Sequence, residues 1–289
     1  MKDICCIGHI TKDKIVTPRN TVYMAGGTSF YMAWGMNQLP PKASFQLVTK
    51  VAKEDMAEVE HMRQAGIEVV CHDSEHTVYF ENKYGENSNN RTQRVLAKAD
   101  PFTMDEVRKL DANIFHLGTL LNDDFSTEVV KYLSTKGQIS IDVQGYLREV
   151  RGESVHAIEW KDKKDILTCT DILKLNEHEM EVITSYKNPR TVALALHELG
   201  VKEVVITLGS YGSLIYFDGK FYEIPAYKPT ELVDATGCGD TYSTGYLYCR
   251  SQGIGVEEAG KFAAAMCTLK LEHSGPFDRS IEDISKIIG

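Results

Sequence analysis

The sequence has no long apolar run, no cluster of basic residues and no CxxC motif. A membrane-spanning helix needs about 20 consecutive apolar residues, and the N-terminal MKDICCIGHI is too short in apolar residues for a signal peptide. A net charge of −9 without a basic run argues against a nucleic-acid surface. The seven scattered cysteines suit neither a zinc site nor a disulfide framework, and their odd number fits a reducing compartment. We therefore expect a cytoplasmic protein with no membrane or nucleic-acid partner.

Two common nucleotide-binding signatures are also missing. No GxxxxGK[ST] occurs, which disfavours a P-loop enzyme, and Tyr242 stands where a dinucleotide fingerprint has its third glycine. The nine histidines show no HExxH or other metal-binding spacing. A phosphate bound by this chain must therefore be held by a different kind of loop.

Apolar strand-like runs alternate with amphipathic helical runs along most of the 289 residues. This alternation is typical of βαβ units, in which helices cover both faces of a parallel sheet. The predicted strands are Ile4–Ile10, Phe45–Val51, Ile67–Cys71, Ile114–Leu117, Gln138–Asp142, Ile172–Leu175 and Glu203–Leu208. The predicted helices lie near Ser29–Gln38, Glu54–Ala65, Met104–Leu110, Ser126–Ser134, Glu177–Thr184 and Arg190–Leu199.

Two segments, at about residues 11–24 and 76–96, read as strands with polar turns and no helix between them. The second contains the turn Tyr84–Asn90. Strands inserted in this way predict a small sheet that stands off the main one as a lid. Because no repeat or linker interrupts the chain, residues 1–289 are expected to form one domain.

The C-terminal third carries clearer local signals. Gly212–Pro225 is predicted to be a hairpin that turns at Asp218-Gly219. Ser280 and Asp283 have the spacing of a capping box. Three helices are predicted here, over Cys238–Arg250, Val256–Leu271 and Ile281–Ile288.

The most informative segment is DATGCGD, Asp234–Asp240, which leads directly into a helix. Backbone N–H groups at a helix start have no partner inside the helix, so a glycine-lined turn there can bind an anion. An acid beside such a pocket would repel phosphate, but it is well placed to take a proton from a hydroxyl that attacks phosphorus. The segment therefore predicts phosphoryl transfer with Asp240 as the base.

DATGCGD followed by a glycine-containing helix resembles the C-terminal signature of the ribokinase/PfkB family of carbohydrate kinases. The resemblance implies an α/β fold, a ribokinase-like three-layer αβα sandwich with a mostly parallel sheet and a small β-sheet lid. It also implies that Asp240 is the base and that the turn of Gly237, Cys238 and Gly239 is the anion hole for the γ-phosphate. The family usually has alanine at the position of Cys238 and often threonine at that of Ala235. Both changes are small, and an anion hole made of backbone N–H groups tolerates them.

The resemblance extends over nearly the whole chain and implies positions that bind the acceptor. Asp13, in GHITKD, matches a ligand of sugar hydroxyls, and AGGTSFYMAWG matches the family's paired glycines at Gly26 and Gly27. Tyr31 stands where the family usually has an asparagine that touches the sugar. This departure argues against simple ribose or fructose specificity.

IDVQGYLRE is the most individual segment of the chain. Asp142 and Gln144 follow a predicted strand, where α/β sheets place their ligand groups. Together they offer the donors and acceptors that adjacent hydroxyls require, and Arg148 is placed to reach a phosphate or solvent. The chain resembles the inositol-kinase-like branch of the family in two features: paired glycines followed by an aromatic residue, and DVQG followed by an arginine.

The donor side is implied by two further motifs. KLNEHE contains Asn176 and Glu179, a pair that in the family orders the magnesium–phosphate water network. The same spacing is also that of a helix cap. TLGSYG, with Thr207, Gly209 and Gly212, resembles the loop that lies along the ATP phosphates and ribose.

The cofactors and partners that the resemblance implies are ATP, Mg²⁺, held by Glu179 through water, and a small sugar or polyol. A monovalent cation such as K⁺ near Asp234 is typical of the family. A homodimer formed through the lid is a further expectation.

Two alternatives to a sugar or cyclitol kinase stay open. A nucleoside kinase of the same fold would need an aromatic or apolar slot for the base, which Phe30, Tyr31 or lid residues could provide. A non-catalytic sugar- or nucleotide-binding regulator would show an eroded base or anion hole, and DATGCGD shows neither.

Overall fold

The computed structural model describes residues 1–84 and 91–289, within which two sheets and ten α-helices form. The strands of the larger sheet are β1 (Lys2–Gly8), β4 (Phe45–Val51), β5 (Val69–Asp73), β8 (Ala112–Gly118), β9 (Gln138–Asp142), β12 (Ile172–Asn176), β13 (Glu203–Thr207), β14 (Ser213–Phe217) and β15 (Lys220–Ile224). The smaller sheet contains β2 (Thr11–Val16), β3 (Thr21–Gly26), β6 (Val78–Tyr84), β7 (Arg91–Ala97), β10 (Arg148–Arg151) and β11 (Ser154–Ala157). The helices are α1 (Thr28–Gln38), α2 (Met56–Gln64), α3 (Met104–Val107), α4 (Thr127–Ser134), α5 (Lys163–Leu167), α6 (Glu177–Thr184), α7 (Pro189–Glu198), α8 (Cys238–Ser251), α9 (Val256–Lys270) and α10 (Ile281–Ile288).

The larger sheet runs β15-β14-β13-β12-β9-β8-β1-β4-β5, and every pairing in it is parallel except those of β14. Its strands are apolar on both sides because helices cover both faces. In β1, Ile4 and Cys6 belong to the core beneath α1, α8 and α9, whereas Cys5 and Ile7 belong to the core beneath α4, α6 and α7. The predicted α/β sandwich with a mostly parallel sheet is therefore confirmed.

The smaller sheet runs β10-β11-β7-β6-β2-β3. Its first four strands along the chain lie in or beside the segments at about 11–24 and 76–96. The sequence reading missed β10 and β11, whose residues are charged or polar at most positions and show no apolar alternation. Residues 85–90 of the predicted polar turn lie outside the described part of the chain.

Some predicted boundaries were wrong. β1 ends at Gly8 instead of Ile10, because the chain leaves for the smaller sheet and the Ile10 N–H donates to the Thr49 hydroxyl at 3.1 Å. The helix predicted to reach Leu110 is a single turn, α3, and the short α5 was not predicted.

The C-terminal predictions are confirmed. Asp218 and Gly219 both have positive φ (49° and 74°), as a two-residue hairpin turn between β14 and β15 requires. The Ser280 and Asp283 side chains form the predicted capping box at the start of α10. In the described part of the chain no helix is both long and apolar enough to cross a bilayer, and all seven cysteines are free thiols.

Candidate active site

A cleft of about 870 Å³ lies where β9, β12 and β13 end and the smaller sheet faces them. Of the site residues predicted from the sequence, those on its wall are Asp13, Gly27, Tyr31, Asp142, Gln144, Arg148, Asn176, Glu179, Thr207, Gly209, Gly212, Gly237, Cys238, Gly239 and Asp240. Gly26 and Asp234 are not on the wall, but their chain neighbours Gly27 and Ala235 are. A second cavity, of about 900 Å³, lies beside the β10–β11 hairpin and has none of these residues on its wall.

Tyr31 and Gly237 fix the shape of the turn before α8. Gly237 has φ 78°, and a β-carbon on it would lie 2.4 Å from the Tyr31 ring. Both the backbone angle and the contact therefore require glycine. Tyr31 is only 2% exposed, and its buried hydroxyl has no hydrogen-bond partner among the described residues. The ring supports the turn from beneath and is not presented as a stacking surface for a nucleobase; Phe30 lies in the core.

The start of α8 offers several N–H donors to the cleft. The Cys238 N–H donates to the Ala235 carbonyl, whereas those of Gly237, Gly239 and Asp240 have no acceptor among the described residues. α8 is 14 residues long, so the positive end of its dipole adds to these donors. Among the described residues, three N–H groups at this helix start are therefore open to an anion, and that of Cys238 is used within the turn.

Cys238 contributes no reactive thiol. Burial raises the pKa of its thiol to about 12, so the group is uncharged near neutral pH. Although a helix N-terminus can lower the pKa of a thiol, it does not activate Cys238 as a nucleophile here.

Asp240 lies in the first turn of α8, and the Thr28 hydroxyl is close enough to lower the pKa of its carboxyl group. Burial and, to a smaller extent, the Asp142 carboxylate raise the pKa of Asp240 to about 7, against the opposing effects of Lys174, the Thr28 hydroxyl and Arg148. A carboxylate that titrates near neutral pH can accept a proton in the middle of a reaction and release it afterwards.

Lys174 is a site residue that the sequence reading missed. Its Nζ lies 2.6 Å from Asp142 Oδ2 and 3.3 Å from the position that a β-carbon on Gly239 would take. Burial would lower the pKa of Lys174, but Asp142 and Glu179 hold it above its usual range, so the ammonium is charged. The available signal was a lysine between two leucines in the buried strand β12. An ammonium beside an anion-binding turn completes a site for phosphate.

The end of the cleft beside the smaller sheet, the predicted acceptor end, is polar. The Thr11 hydroxyl donates to Asp13 Oδ1 at 2.7 Å, and a β-carbon on Gly26 would lie 2.5 Å from Asp13 Oδ2, so glycine makes room for this carboxylate. Gln93 donates from its Nε2 to Asn82 Oδ1 at 2.9 Å.

Arg148 links the smaller sheet to the cleft. Its Nη1 donates to Gln93 Oε1 at 3.1 Å, and its charge lowers the pKa of Asp240. Asn82 and Gln93, which the sequence reading missed, occupy strand positions in β6 and β7 and line the cleft. In the sequence, only the alternation of side chains between the two faces of these strands could have indicated that the two residues line a site.

The predicted donor end of the cleft begins at α6. Asn176 accepts from the N–H groups of His178 and Glu179, and Glu179 accepts from the Asn176 N–H, so this pair forms a helix cap. Both also line the cleft. Burial and, to a smaller extent, the Asp142 carboxylate raise the pKa of Glu179, whereas Lys174 lowers it.

A magnesium ion fits this arrangement only with help from the phosphates. Among the described residues, no three acidic, histidine or cysteine side chains form a metal site by themselves. Mg²⁺ usually keeps several waters and binds one or two carboxylates together with substrate phosphates. Glu179, beside Lys174 and the start of α8, is placed for such a role.

The cleft continues beyond the start of α8 along Thr207, Gly209 and Gly212. Gly212 has φ 91°, and a β-carbon there would collide with the Ile224 carbonyl, so the loop keeps its shape only with glycine. The far wall is more apolar and includes Tyr227, Leu232, Ala264, Thr268 and Leu271. These far-wall residues were not predicted.

Residues 1–283 match the family model for pfkB family carbohydrate kinases. The chain belongs to the pfkB family of carbohydrate kinases. It is accordingly a kinase, a phosphotransferase with an alcohol group as acceptor, and its predicted ribokinase-like fold is confirmed. The alternative of a non-catalytic regulator is not supported.

This pfkB-family chain is similar to several characterised kinases. The cytidine kinase of Thermococcus kodakarensis is 29% identical over 267 residues, which cover 89% of this chain and 92% of that protein. A pyrophosphate-dependent kinase of the ribokinase family, solved with a pyrophosphate analog and myo-inositol, has 29% identity and a TM-score of 0.88 over 98% of this chain and 100% of that one. The ribokinase of Arabidopsis thaliana, solved with ribose and ATP, has 20% identity and a TM-score of 0.78 over 99% of this chain and 98% of that one. At this identity the similarity supports only the fold.

Proposed function

We propose that this chain transfers the γ-phosphoryl group of ATP to a hydroxyl of a small polyhydroxylated acceptor, a sugar or a cyclitol such as myo-inositol. The observation that carries the proposal is the position of Asp240. Its carboxylate lies next to the free N–H groups at the start of α8 and in the same cleft as the polar acceptor end. In this proposal a base, an anion hole and a hydroxyl-binding surface therefore share one cleft.

In the proposed reaction, Asp240 takes the proton of the acceptor hydroxyl while the oxygen of that hydroxyl bonds to the γ-phosphorus. The bond from that phosphorus to the bridging oxygen breaks at the same time, and ADP leaves. The N–H groups of Gly237 and Gly239 and the Lys174 ammonium stabilise the charge on the transferring group. Lys174 is already charged and buried, so it needs little reorganisation.

The acceptor is proposed to bind Asp13, Gly27, Asp142 and Gln144, with Asn82, Gln93 and Arg148 above it; all seven line the cleft. Their donors and acceptors suit adjacent hydroxyls better than the flat apolar faces of a nucleobase. The similarity to a structure that contains myo-inositol supports this choice.

The donor phosphates are proposed to lie along Asn176, Thr207, Gly209 and Gly212, with the base on the apolar far wall. We propose that ATP binds together with a divalent metal ion and that Glu179 orders the water shell of this ion. A bound magnesium ion would neutralise charge on the phosphates.

Two alternatives rest on particular comparisons. The similarity to a cytidine kinase favours a nucleoside acceptor, and the similarity to a pyrophosphate-dependent kinase favours pyrophosphate as the donor. A pyrophosphate donor would leave the apolar far wall without a role, whereas the base of ATP would cover it.

We further propose that residues 1–289 act as one kinase domain in which the smaller sheet closes as a lid and excludes water. β3 is the edge strand of that sheet and exposes Val22 and Tyr23 (45% and 68%). A homodimer through this edge would cover both side chains. Light scattering on the wild type and Tyr23→Glu should show a dimer and a monomer; a wild-type monomer would refute this part.

The function is tested with a matrix of donors and acceptors, followed by ³¹P NMR of the products. The donors are ATP and pyrophosphate, and the acceptors are myo-inositol, ribose, fructose 6-phosphate and cytidine. We expect a phosphomonoester from ATP and a polyol, with Asp240→Asn as the negative control. If cytidine were the only acceptor that reacts, the proposed acceptor would be wrong. If pyrophosphate were the only donor that reacts, the proposed donor would be wrong. No product from any pair would overturn the proposal.

A further inference from the structure

Lys270, the last residue of α9, is a lysine whose side chain is completely buried. Its Nζ donates to the carbonyls of Asp234 and His273, at 3.1 and 3.2 Å, and lies 3.6 Å from Asp234 Oδ2. Burying an ammonium is unfavourable unless oxygens replace its water. Three oxygens converge on it here, from two separate stretches of the chain.

These contacts hold the segment that carries the anion hole. The N–H groups of Val233 and Asp234 donate to the Leu271 carbonyl at 2.8 and 3.2 Å. Asp234 Oδ1 accepts from the Thr236 N–H at 2.9 Å, directly before the Gly237 turn. Lys270 therefore ties the beginning of DATGCGD to the end of α9 from within the protein.

The ligands of this ammonium are those of a monovalent metal ion: main-chain carbonyls and one carboxylate oxygen. The family resemblance predicts K⁺ near Asp234, but the residues present do not fit a second cation at this point. Lys270 Nζ already contacts the carbonyl and the carboxylate of Asp234. Another positive charge a few ångströms away in a buried environment would be repelled.

We propose that Lys270 is a built-in monovalent cation that positions the anion-hole turn, so that phosphoryl transfer by this chain requires no added K⁺. Lys270 is a positioning residue, because its contacts reach the turn through Asp234 and do not reach the reacting groups. The inference rests on the phosphoryl-transfer site proposed above.

The test is a comparison of Lys270→Met with Lys50→Met. Lys50 is a matched control: it is 3% exposed, and its Nζ contacts the Pro101 carbonyl at 2.8 Å and Glu106 Oε1 at 2.9 Å, off the cleft wall. Kinase activity and the thermal unfolding midpoint are measured in choline chloride, LiCl, KCl and NH₄Cl at equal ionic strength. Lys270→Arg serves as the conservative variant.

The turnover rate of the wild type should be the same in choline and in K⁺, within about twofold. The rate of Lys270→Arg should likewise not depend on which of the two salts is present. Lys270→Met should lose about 100-fold in choline and recover at least tenfold with K⁺ or NH₄⁺, ions of a size close to that of an ammonium head group. Its unfolding midpoint should rise with the same ions. Lys50→Met should be destabilised without any such ion-specific recovery.

Wild-type activity that requires K⁺ would overturn the proposal, even if Lys270→Met does not fold. So would a folded Lys270→Met that keeps full activity in choline, or one that no cation restores. The unfolding midpoint needs no turnover. If no donor and acceptor react, the proposed function fails, while the midpoints in the four salts still decide the role of Lys270.

Discussion

Replacing Asp240 with asparagine should stabilise the folded protein at neutral pH. The raised pKa of this carboxyl, about 7 against 3.8, means that folding disfavours its ionised form. A group with a raised folded-state pKa contributes its full stability below the unfolded pKa and loses it as pH rises through the folded one. The loss in the wild type therefore develops between about pH 4 and pH 7 and is complete above that range.

The shift of about 3 units at 1.36 kcal/mol per unit sets an upper value of about 4 kcal/mol. Because the cleft admits solvent, which screens the charge, we expect about 1–3 kcal/mol for Asp240→Asn at pH 8. In a chain of this size that is a rise of roughly 2–8 °C in the unfolding midpoint.

The assay is thermal unfolding of both proteins at pH 5, 6, 7 and 8. The advantage of Asp240→Asn should be smallest at pH 5 and should grow through pH 7. Asp283→Asn is the control with the opposite sign: its carboxyl has a pKa lowered to about 2 by Lys286 and the Ser280 hydroxyl, so its removal should destabilise equally across this range. An Asp240→Asn protein that is less stable, or whose difference from wild type does not change with pH, would refute the reasoning.

Three further predictions concern the walls of the cleft. Gly237→Ala should lower the free energy of unfolding by about 3 kcal/mol and abolish most of the activity, because the new β-carbon would collide with the Tyr31 ring. The control is Gly253→Ala, which has a similar φ of 75° and no neighbour within 4 Å, and it should cost only about 1 kcal/mol. Both values are measured by denaturant titration. Gln93→Leu should raise the KM for the acceptor about tenfold by removing two hydrogen bonds, and an equal rise in the donor KM would argue against an acceptor role. Lys174→Met removes a cation that lowers the pKa of Asp240, so the ascending limb of the pH–rate profile should move to higher pH.

The parts of the fold that the sequence predicted correctly depend on local chemistry. The hairpin at Asp218-Gly219 needs two residues that tolerate positive φ, and the cap at Ser280 needs a hydroxyl three residues before a carboxylate. β1 reads as a buried strand because both of its faces are apolar. β10 and β11 show neither signal, since their pairing is decided by the rest of the smaller sheet.

Most of the predicted site residues share one cleft because strand ends in a parallel sheet meet at one edge. The missed residues depend on contacts between distant parts of the chain. Lys174 faces Asp142 only once β12 lies beside β9, and the role of Tyr31 beneath Gly237 arises where α1 meets the start of α8. Lys270, at the end of a helix, reads in the sequence as a partner of the helix dipole, and only the fold shows it buried against Asp234.

The central claim, that Asp240 is the base of a phosphoryl transfer, is tested most directly by the pH dependence of kcat/KM for the acceptor. This ratio reports the ionisation of groups in the free enzyme. The wild type should show an ascending limb with a midpoint at about pH 7, the pKa to which burial raises the Asp240 carboxyl. Asp240→Asn should lose about 10²–10⁴-fold in rate and should lack that limb. A variant within tenfold of the wild type, or one that keeps the same limb, would contradict the claim.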